Sequence, residues 1–408
     1  MKKLSKAAIL ALSVALVLGL VACPNKTEPK PEPEPTPGPE PSTDVKVTGV
    51  SLNATKVYGE TGETLWLYAT VYPTNATNTA ITWTSSDENI AGVSSDGLVT
   101  FSSSTVWETA TITVTTNDGN FQATCEAIII KKPTASAADS NGFVTISAGS
   151  MPLNSDGSYH VTITKPFKIC DHEVTQKEWQ DVMGANPSYF DGTSGKEAAT
   201  DETQNLRPVE QVNWYMAIAY CNERTKKEAI KIGTTETIDY VYFSDETLTS
   251  AYTTSDSSSQ KVPHMKIDAK GYRLPTEAEW EIAARGGVVG DCYAGTANES
   301  ELGTYAWYTA NSDSKTHEVK KKSPNAYGLY DMSGNVWEWC WDWYDSSAYT
   351  GEATDPTGSP AGSHRVLRGG GWNNNAVNCR ASNRDWTHPY YVWFNNFGLR
   401  VVRSASSL

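Results

Sequence analysis

From Val47 to Ile130, apolar residues recur at every second position between turn signals, and that rhythm restricts the chain to one kind of architecture. Side chains along a strand alternate between faces, so a period of two buries one face and leaves the other in water. Thr64-Leu65-Trp66-Leu67-Tyr68-Ala69-Thr70-Val71, Ala80-Ile81-Thr82-Trp83 and Ala110-Thr111-Ile112-Thr113-Val114-Thr115 read as strands. Pro73-Thr74-Asn75, Ser95-Asp96-Gly97 and Asn117-Asp118-Gly119 read as the turns between them. Short strands at this spacing predict an all-β sandwich, residues 47–131. No residue in it suggests chemistry, so its expected role is a spacer or adhesive module. Lys131 to Asn141 reads as a linker.

The segment before the sandwich cannot build a core. Lys2, Lys3 and Lys6 form a positive leader, and the apolar run Ala7 to Val21 is too short and wrongly flanked for a spanning helix. Residues 1–22 therefore read as an export signal. It ends Leu20-Val21-Ala22-Cys23, which resembles the bacterial lipobox, with Cys23 as the residue that would carry lipid. Residues 23–46 are rich in Pro alternating with Glu and Lys, a composition that gives an extended polyproline-like spacer. About twenty such residues at ~3.1 Å each reach roughly 60 Å. The expectation is a protein tethered to the cell envelope through lipid, on the outer membrane, and held away from the bilayer for display.

Beyond Gly142 the pattern changes, and residues 142–404 read as a second domain of α+β type. Thr175 with Glu178, and Thr276 with Glu279, are capping boxes that announce helices with Trp179, Val182 and Met183, or Trp280 and Ala283, on the buried side. Trp214, Ala217, Ile218 and Cys221 are spaced for a third helix from about Asn213 to Glu228. Thr225 to Gly271, rich in Ser and Thr, reads as an inserted hairpin or loop.

The formal charge of −14 and the lack of a basic cluster argue against nucleic acid as a partner. Six cysteines besides Cys23 stand at wide spacings with no CxxC, so a zinc ribbon is unsupported, while one or two disulfides fit an exported chain. The six histidines show no metal-binding spacing and read as structural or exposed. One stretch stands apart. Trp372 to Phe397 holds seven asparagines and seven aromatic residues. Asn favours turns, and flat rings among polar residues suit a binding surface. A polar loop whose aromatics fold back into the core is the other reading.

Longer motifs bring resemblances. Val50-Ser51-Leu52, Ala69-Thr70-Val71-Tyr72-Pro73, Trp83-Thr84-Ser85-Ser86 and Asp96-Gly97-Leu98-Val99 resemble the bacterial Ig-like domain, group 2. Arg273-Leu274-Pro275-Thr276-Glu277-Ala278-Glu279-Trp280-Glu281, Asn325 through Trp339, Arg365-Val366-Leu367-Arg368-Gly369-Gly370-Gly371-Trp372 and Gly398-Leu399-Arg400 resemble the formylglycine-generating-enzyme (sulfatase-modifying factor) family. That resemblance covers nearly all of Gly142 to Arg403 and implies a variant C-type lectin fold with loop-built walls around a groove. The family's oxidase holds copper with two cysteines. Here the first position falls on or near Asn374 and the second in a stretch without cysteine. Asn supplies no thiolate, so copper-dependent oxidation is not expected and no catalytic residue is assigned. The resemblance also places disulfide cysteines at Cys379 and Cys221, whose partner positions here are Ala284 and Val401. It further implies a calcium site at Asp331, Gly334, Val336 and Glu338, oxygen ligands of the hard kind calcium prefers. An acid pair bonding nearby amides is the alternative.

The last segment is similar to the variable region of diversity-generating retroelement target proteins, of the kind found on spirochaete lipoproteins. Its marks are Gly370-Gly371-Trp372-Asn373-Asn374-Asn375-Ala376, Asn378-Cys379-Arg380, Ser382-Asn383-Arg384, Pro389 and Asn395-Asn396-Phe397-Gly398. In such systems template adenines are randomised, and AAC codons then yield Asp, His, Thr, Tyr, Val or Phe. Those residues stand at Asp385, Thr387, His388, Tyr390, Tyr391, Val392 and Phe394. Trp386 and Trp393 would need AAG or AGG codons. The resemblance implies a ligand-binding face made of these positions with Val377 and Asn373, Asn374, Asn375, Asn378, Asn383, Asn395 and Asn396, taking a protein or glycan that differs between variants. The competing expectations are an exported metal-dependent modifying enzyme and a structural envelope protein.

Overall fold

The computed structural model describes residues 44–405 apart from 234 and 291. The expected signal segment, Cys23 and the spacer as far as residue 43 lie outside the described residues.

The first domain is a sandwich. One sheet runs Lys56–Gly59, Gln122–Ile129, Thr109–Thr116, Ile81–Ser85; the other runs Thr64–Trp66, Leu98–Phe101, Ala91–Val93. A two-stranded ribbon, Gly49–Leu52 with Ala69–Tyr72, completes it. Thr109–Thr116 shows why the alternation was informative: Ala110, Ile112 and Val114 are fully buried, and the threonines between them are not. The single strand expected at Thr64–Val71 is broken in two. Its halves join different partners, and at the break Leu67 is buried while its N–H donates to Gly97 O (2.9 Å). Alternation in sequence cannot show that a strand changes partners partway.

Residues 131–141 are not a free linker. Lys131 N donates to Ser150 Oγ (2.7 Å), Ser147 N to Thr134 O (2.9 Å) and Ser136 N to Thr145 O (2.9 Å), so the run docks on the second domain. The sandwich itself reaches that domain through Trp107, which stacks on His160 at 4.4 Å and donates from Nε1 to Thr162 Oγ1 (2.9 Å).

In the second domain the chain's return closes the structure: Val402–Ser404 lies between Phe167–Cys170 and Tyr272–Arg273 in a four-stranded sheet begun by Phe143–Ile146. A second sheet, Arg384–Thr387, Arg365–Arg368, Trp337–Trp343, Phe397–Gly398, carries the C-terminal segment. A third joins Gly149–Leu153, Tyr159–Ile163 and Gly351–Thr354. The helices form where their caps lie: α1 is Gln176–Met183, α2 is Trp214–Lys227 capped by Asn213, α3 is the short Thr254–Ser258, and α4 is Glu277–Arg285. Both expected capping boxes are present, and Gly184 and Gly286 end α1 and α4 in the left-handed region. The insert at Thr225–Gly271 holds α3 and a strand pair, Tyr242–Phe243 with His264–Met265. It also reaches the core, because Asn222 Nδ2 on α2 donates to the carbonyls of Tyr242 (2.8 Å) and Tyr252 (3.0 Å). The cysteines Cys125, Cys170, Cys221, Cys340 and Cys379 are buried free thiols, so the disulfides that the exported context suggested do not form at these positions. The implied partner positions, Ala284 and Val401, are themselves buried and apolar.

Thr276 accepts from Glu279 N at the start of α4, the helix on which the C-terminal sheet is fastened. Thr276→Ala is expected to destabilise the protein by about 1 kcal/mol, the usual cost of a lost N-cap. Chemical denaturation midpoints check this, and a change indistinguishable from zero would show that packing alone starts the helix.

Candidate functional site

The segment from Trp372 to Phe397 is fastened from below and open above. Its entry turn needs glycine: Gly370 has φ +77°, and a Cβ there would come within 2.9 Å of Cys379 Sγ. Trp372 N donates to Asn335 O (2.8 Å) and its ring nitrogen to Asn395 O (3.0 Å), which closes the segment on itself. Asn374 Oδ1 accepts from Gly371 N (3.0 Å), and Asn396 Nδ2 donates to Asn373 Oδ1 (2.8 Å). Asn396 is buried. It therefore leaves the ligand-facing set and belongs to the scaffold, and the amide oxygen of Asn374 is committed to the turn. Asn375 precedes the short 3-10 helix Ala376–Cys379, and its carbonyl accepts from Asn378 N (3.0 Å). Asn373, Asn375 and Val377 are exposed, whereas Asn378, Asn383 and Asn395 are half-buried.

The strand Arg384–Thr387 pairs antiparallel with Arg365–Arg368. Arg384 is its anchor, with Nε 2.6 Å and a terminal nitrogen 2.8 Å from the two Glu277 oxygens at the start of α4. Arg368 binds both the Asn383 carbonyl and Glu281. Arg365, paired with Thr387, lies between the rings of Trp214 (3.7 Å) and Trp343 (3.4 Å). Burial lowers its guanidinium to about 9. The backbone beyond hangs on the N-terminus of α2: Trp214 N donates to Pro389 O (3.1 Å), Asn213 Nδ2 to Tyr390 O (3.4 Å) and Gln211 N to Phe394 O (3.3 Å).

With the backbone held this way, the side chains face outward. Trp393 is 82% exposed, and Trp386, Tyr390, Tyr391 and Phe394 are each about two-fifths exposed. His388, Tyr390, Tyr391, Phe394 and Phe397 form a run of ring contacts. His388 stacks with Tyr390 (5.1 Å), which meets Tyr391 edge-on (5.0 Å); Tyr391 meets Phe394 (6.0 Å), and Phe394 stacks on the buried Phe397 (4.5 Å). Asp385 is half-buried, and burial raises its carboxyl above the usual range; Thr387 and Val392 are also half-buried. The reading in which the aromatics fold back into the core holds for Phe397 alone. The structure adds residues that the sequence did not mark: Tyr344 stacks on Trp386 (4.3 Å), His364 on His388 (4.1 Å), and Phe190 meets Trp372 edge-on (5.6 Å). They lie far away in sequence with no local signal. Two cavities, of about 630 and 600 Å³, contain no residue of the segment.

The implied calcium loop lies beneath the turn. Gly334 (φ +84°) donates to Gly369 O, and a Cβ there would sit 2.1 Å from Trp307 O. Val336 N donates to Glu173 Oε1 (3.0 Å). Both Glu338 oxygens face Arg400, the nearer at 2.8 Å, and one also accepts from Trp280 Nε1 (2.7 Å). Asp331 Oδ2 accepts from Lys320 N (2.8 Å), and Oδ1 is the one buried carboxylate oxygen without a partner among the described residues. Burial raises Asp331 to about 6 and, with Asp331 and Glu338 nearby, pushes Glu173 well above the usual range. At the Asp331 end a single carboxylate oxygen, Oδ1, is left to offer a hard cation. Such an ion does not fit at Glu338, where Arg400 already supplies the positive charge.

Residues 130–405 match the sulfatase-modifying factor enzyme 1-like domain, and residues 46–127 the bacterial Ig-like domain (group 2). The chain belongs to the sulfatase-modifying factor enzyme 1-like family. Its second domain thus has the C-type lectin-like fold of that family. Chaperone protein LppX of Paenibacillus barcinonensis is 34% identical over 301 residues, covering 66% of this chain and 94% of that protein. The formylglycine-generating enzyme of Streptomyces coelicolor is 42% identical over 114 residues, 25% of this chain and 36% of the enzyme. The structure of Treponema denticola variable protein 1 is similar with a TM-score of 0.56 and 38% identity, covering 67% of this chain and 99% of that one.

Asp342, on the strand Trp337–Trp343, is buried and raised to about 8, first by burial and then by Glu277. Its folded value exceeds its ordinary 3.8, so the folded state holds the proton longer than the unfolded state, and stability falls as pH rises from 3.8 through about 8. Asp342→Asn is expected to remove this part of the loss and to be more stable than the native protein at pH 8. Urea midpoints across this range check it; parallel curves for the two proteins would refute the assignment.

Proposed function

We propose that this protein is displayed at the cell surface, anchored by lipid at Cys23, and binds ligands through the face formed by Asp385 to Phe394. The observation that carries this reading is the division of labour within one segment. Arg384, Pro389 and Asn396 tie the backbone to the scaffold, while Trp386, Tyr390, Tyr391, Trp393 and Phe394 are exposed on it. Exposed aromatics on a fixed backbone give contact area with little ordering cost, and such anchors typically contribute ~2 kcal/mol or more each when buried by a partner. Asp385, Thr387, His388 and the exposed asparagines set orientation by hydrogen bonds. The ligand is a protein or glycan, and retroelement diversification of these codons would give each variant its own. Likeness to the variable protein of Treponema denticola supports this reading.

Oxidation of the formylglycine-generating type is not part of it. Asn374, on or near the position of the first copper-binding cysteine, offers an amide oxygen already bonded to Gly371, whereas that chemistry needs a thiolate. A calcium ion, if held, would sit at Asp331 and brace the turn below the face.

Protein and glycan arrays probed with the full chain are expected to give a specific ligand. Trp393→Ala or Tyr391→Ala should then weaken its binding at least tenfold while leaving the melting temperature nearly unchanged. A large fall in melting temperature would mean that these rings are core and would contradict the reading.

A further inference from the structure

Away from this face, three consecutive residues of metal-ligand type converge at the end of a strand. Cys170 Sγ lies 3.6 Å from His172 Nδ1, and Asp171 Oδ1 lies 2.5 Å from the same nitrogen. Among the described residues this is the one group of three or more Cys, His, Asp or Glu side chains gathered closely enough to share an ion. We propose that Cys170, Asp171 and His172 bind a divalent transition-metal ion of the zinc class.

Geometry supports the donor set. In a tetrahedral site with Zn–S of about 2.3 Å and Zn–N of about 2.0–2.1 Å, sulfur and nitrogen lie about 3.6 Å apart. The Sγ–Nδ1 separation already has that value; Sγ also lies 4.0 Å from Nε2, so the ring would turn to aim Nδ1 at the shared ion. The short Asp171–His172 contact is a hydrogen bond that a metal would replace, and the two atoms would open to about 3.3 Å to share the ion. The other ring nitrogen, Nε2, faces Glu178 Oε2 at 3.4 Å, an arrangement in which a carboxylate orients a ligating imidazole. Glu178 is itself fixed, since that oxygen accepts from Thr175 N (2.9 Å) and Thr175 Oγ1 (3.0 Å). Asp171 keeps its second oxygen on Lys320 Nζ (2.7 Å).

The backbone under these side chains is equally constrained. Cys170 N donates to Val401 O (3.0 Å), and Cys170 O accepts from an Arg400 terminal nitrogen (2.9 Å). Asp171 N donates to Gly142 O (2.7 Å), and its carbonyl accepts from Tyr330 N (2.8 Å). The backbone of the site is therefore fixed before any ion arrives, and only side chains need to adjust, which lowers the ordering cost of binding. A mixed S, N, O donor set suits zinc or cobalt over calcium or magnesium. Three protein ligands leave a fourth position, and His172, Glu178 and Lys320 line a cavity of about 600 Å³ beside it. Water or a small exogenous ligand would complete the sphere there.

Titration with cobalt(II) alone tests the site in the full chain carrying Cys23→Ser, which removes the N-terminal thiol as a competing ligand. The expected result is one equivalent of bound cobalt with a thiolate-to-cobalt charge-transfer band that added zinc abolishes. Cys170→Ser should lose the band. His172→Gln should weaken binding at least tenfold, and Glu178→Gln about 10–100-fold, as for other residues that orient a ligand. His172→Gln keeps the test sharp even if Cys170→Ser folds poorly, because it leaves the strand's buried thiol in place. Absence of sulfur-ligated cobalt in the parent protein, or a band unchanged by Cys170→Ser or His172→Gln, would overturn the proposal. The outcome is independent of whether the aromatic face binds a ligand.

Discussion

The second domain depends on carboxylates buried against guanidinium groups. Glu281 on α4 is wholly buried, and it receives Arg285, Arg368, the Tyr349 hydroxyl and Asn154 N. Glu277, one turn earlier, receives Arg384, and Glu338 receives Arg400. Desolvating such groups is expensive, and attraction offsets that cost only where the geometry is good and the remaining oxygens are bonded. Removing one partner of a buried pair typically costs about 3–5 kcal/mol, because the other charge is left stranded. These pairs tie helix and strands together across long stretches of sequence, so a domain with short strands and long loops still acquires a fixed shape. Apolar contact alone would hold those loops in many arrangements.

The same pairs explain how one segment can be both rigid and free. Arg384 and Arg368 hold the base of the segment, and α2 holds the backbone of its outer loop. None of these bonds involves the side chains of Trp386, Tyr390, Tyr391 or Trp393. Under the proposed function, replacement of those side chains would alter recognition while the hydrogen bonds that define the loop persist. Surface substitutions away from caps, cores and ion pairs usually change stability by no more than about 0.5 kcal/mol.

How much of this was legible in the sequence depended on range. Local devices were readable: Thr175 with Glu178 and Thr276 with Glu279 are contained within one turn, and the alternation of Thr109–Thr116 lies in the strand itself. Family motifs then identified the fold around them. Features set by distant partners were not readable. The break at Leu67 is made by Gly97, the docking of 131–136 by Ser150 and Thr145, and the stacking of Tyr344 on Trp386 joins residues far apart in the chain. Asn396 illustrates the limit within the site, since composition marks an asparagine as surface-like and only the Asn373 partner reveals it as structural. Cys170-Asp171-His172 is the reverse case. Its residues are adjacent in sequence, but a strand would be expected to send alternate side chains to opposite faces; the strand ends at Cys170, and that end brings the three together.

The central claim is that evolution changes the outward side chains of residues 385–394 and keeps the anchors beneath them. Sequencing the corresponding coding region in sister clones, with the adjoining DNA, tests it most directly. The predicted result is substitution at template-adenine positions among Asp385 to His388 and Tyr390 to Phe394, with Gly370, Arg384, Pro389 and Asn396 unchanged, and a near-copy of the region beside a reverse transcriptase gene. A uniform segment, or changes falling equally on the anchors, would contradict it.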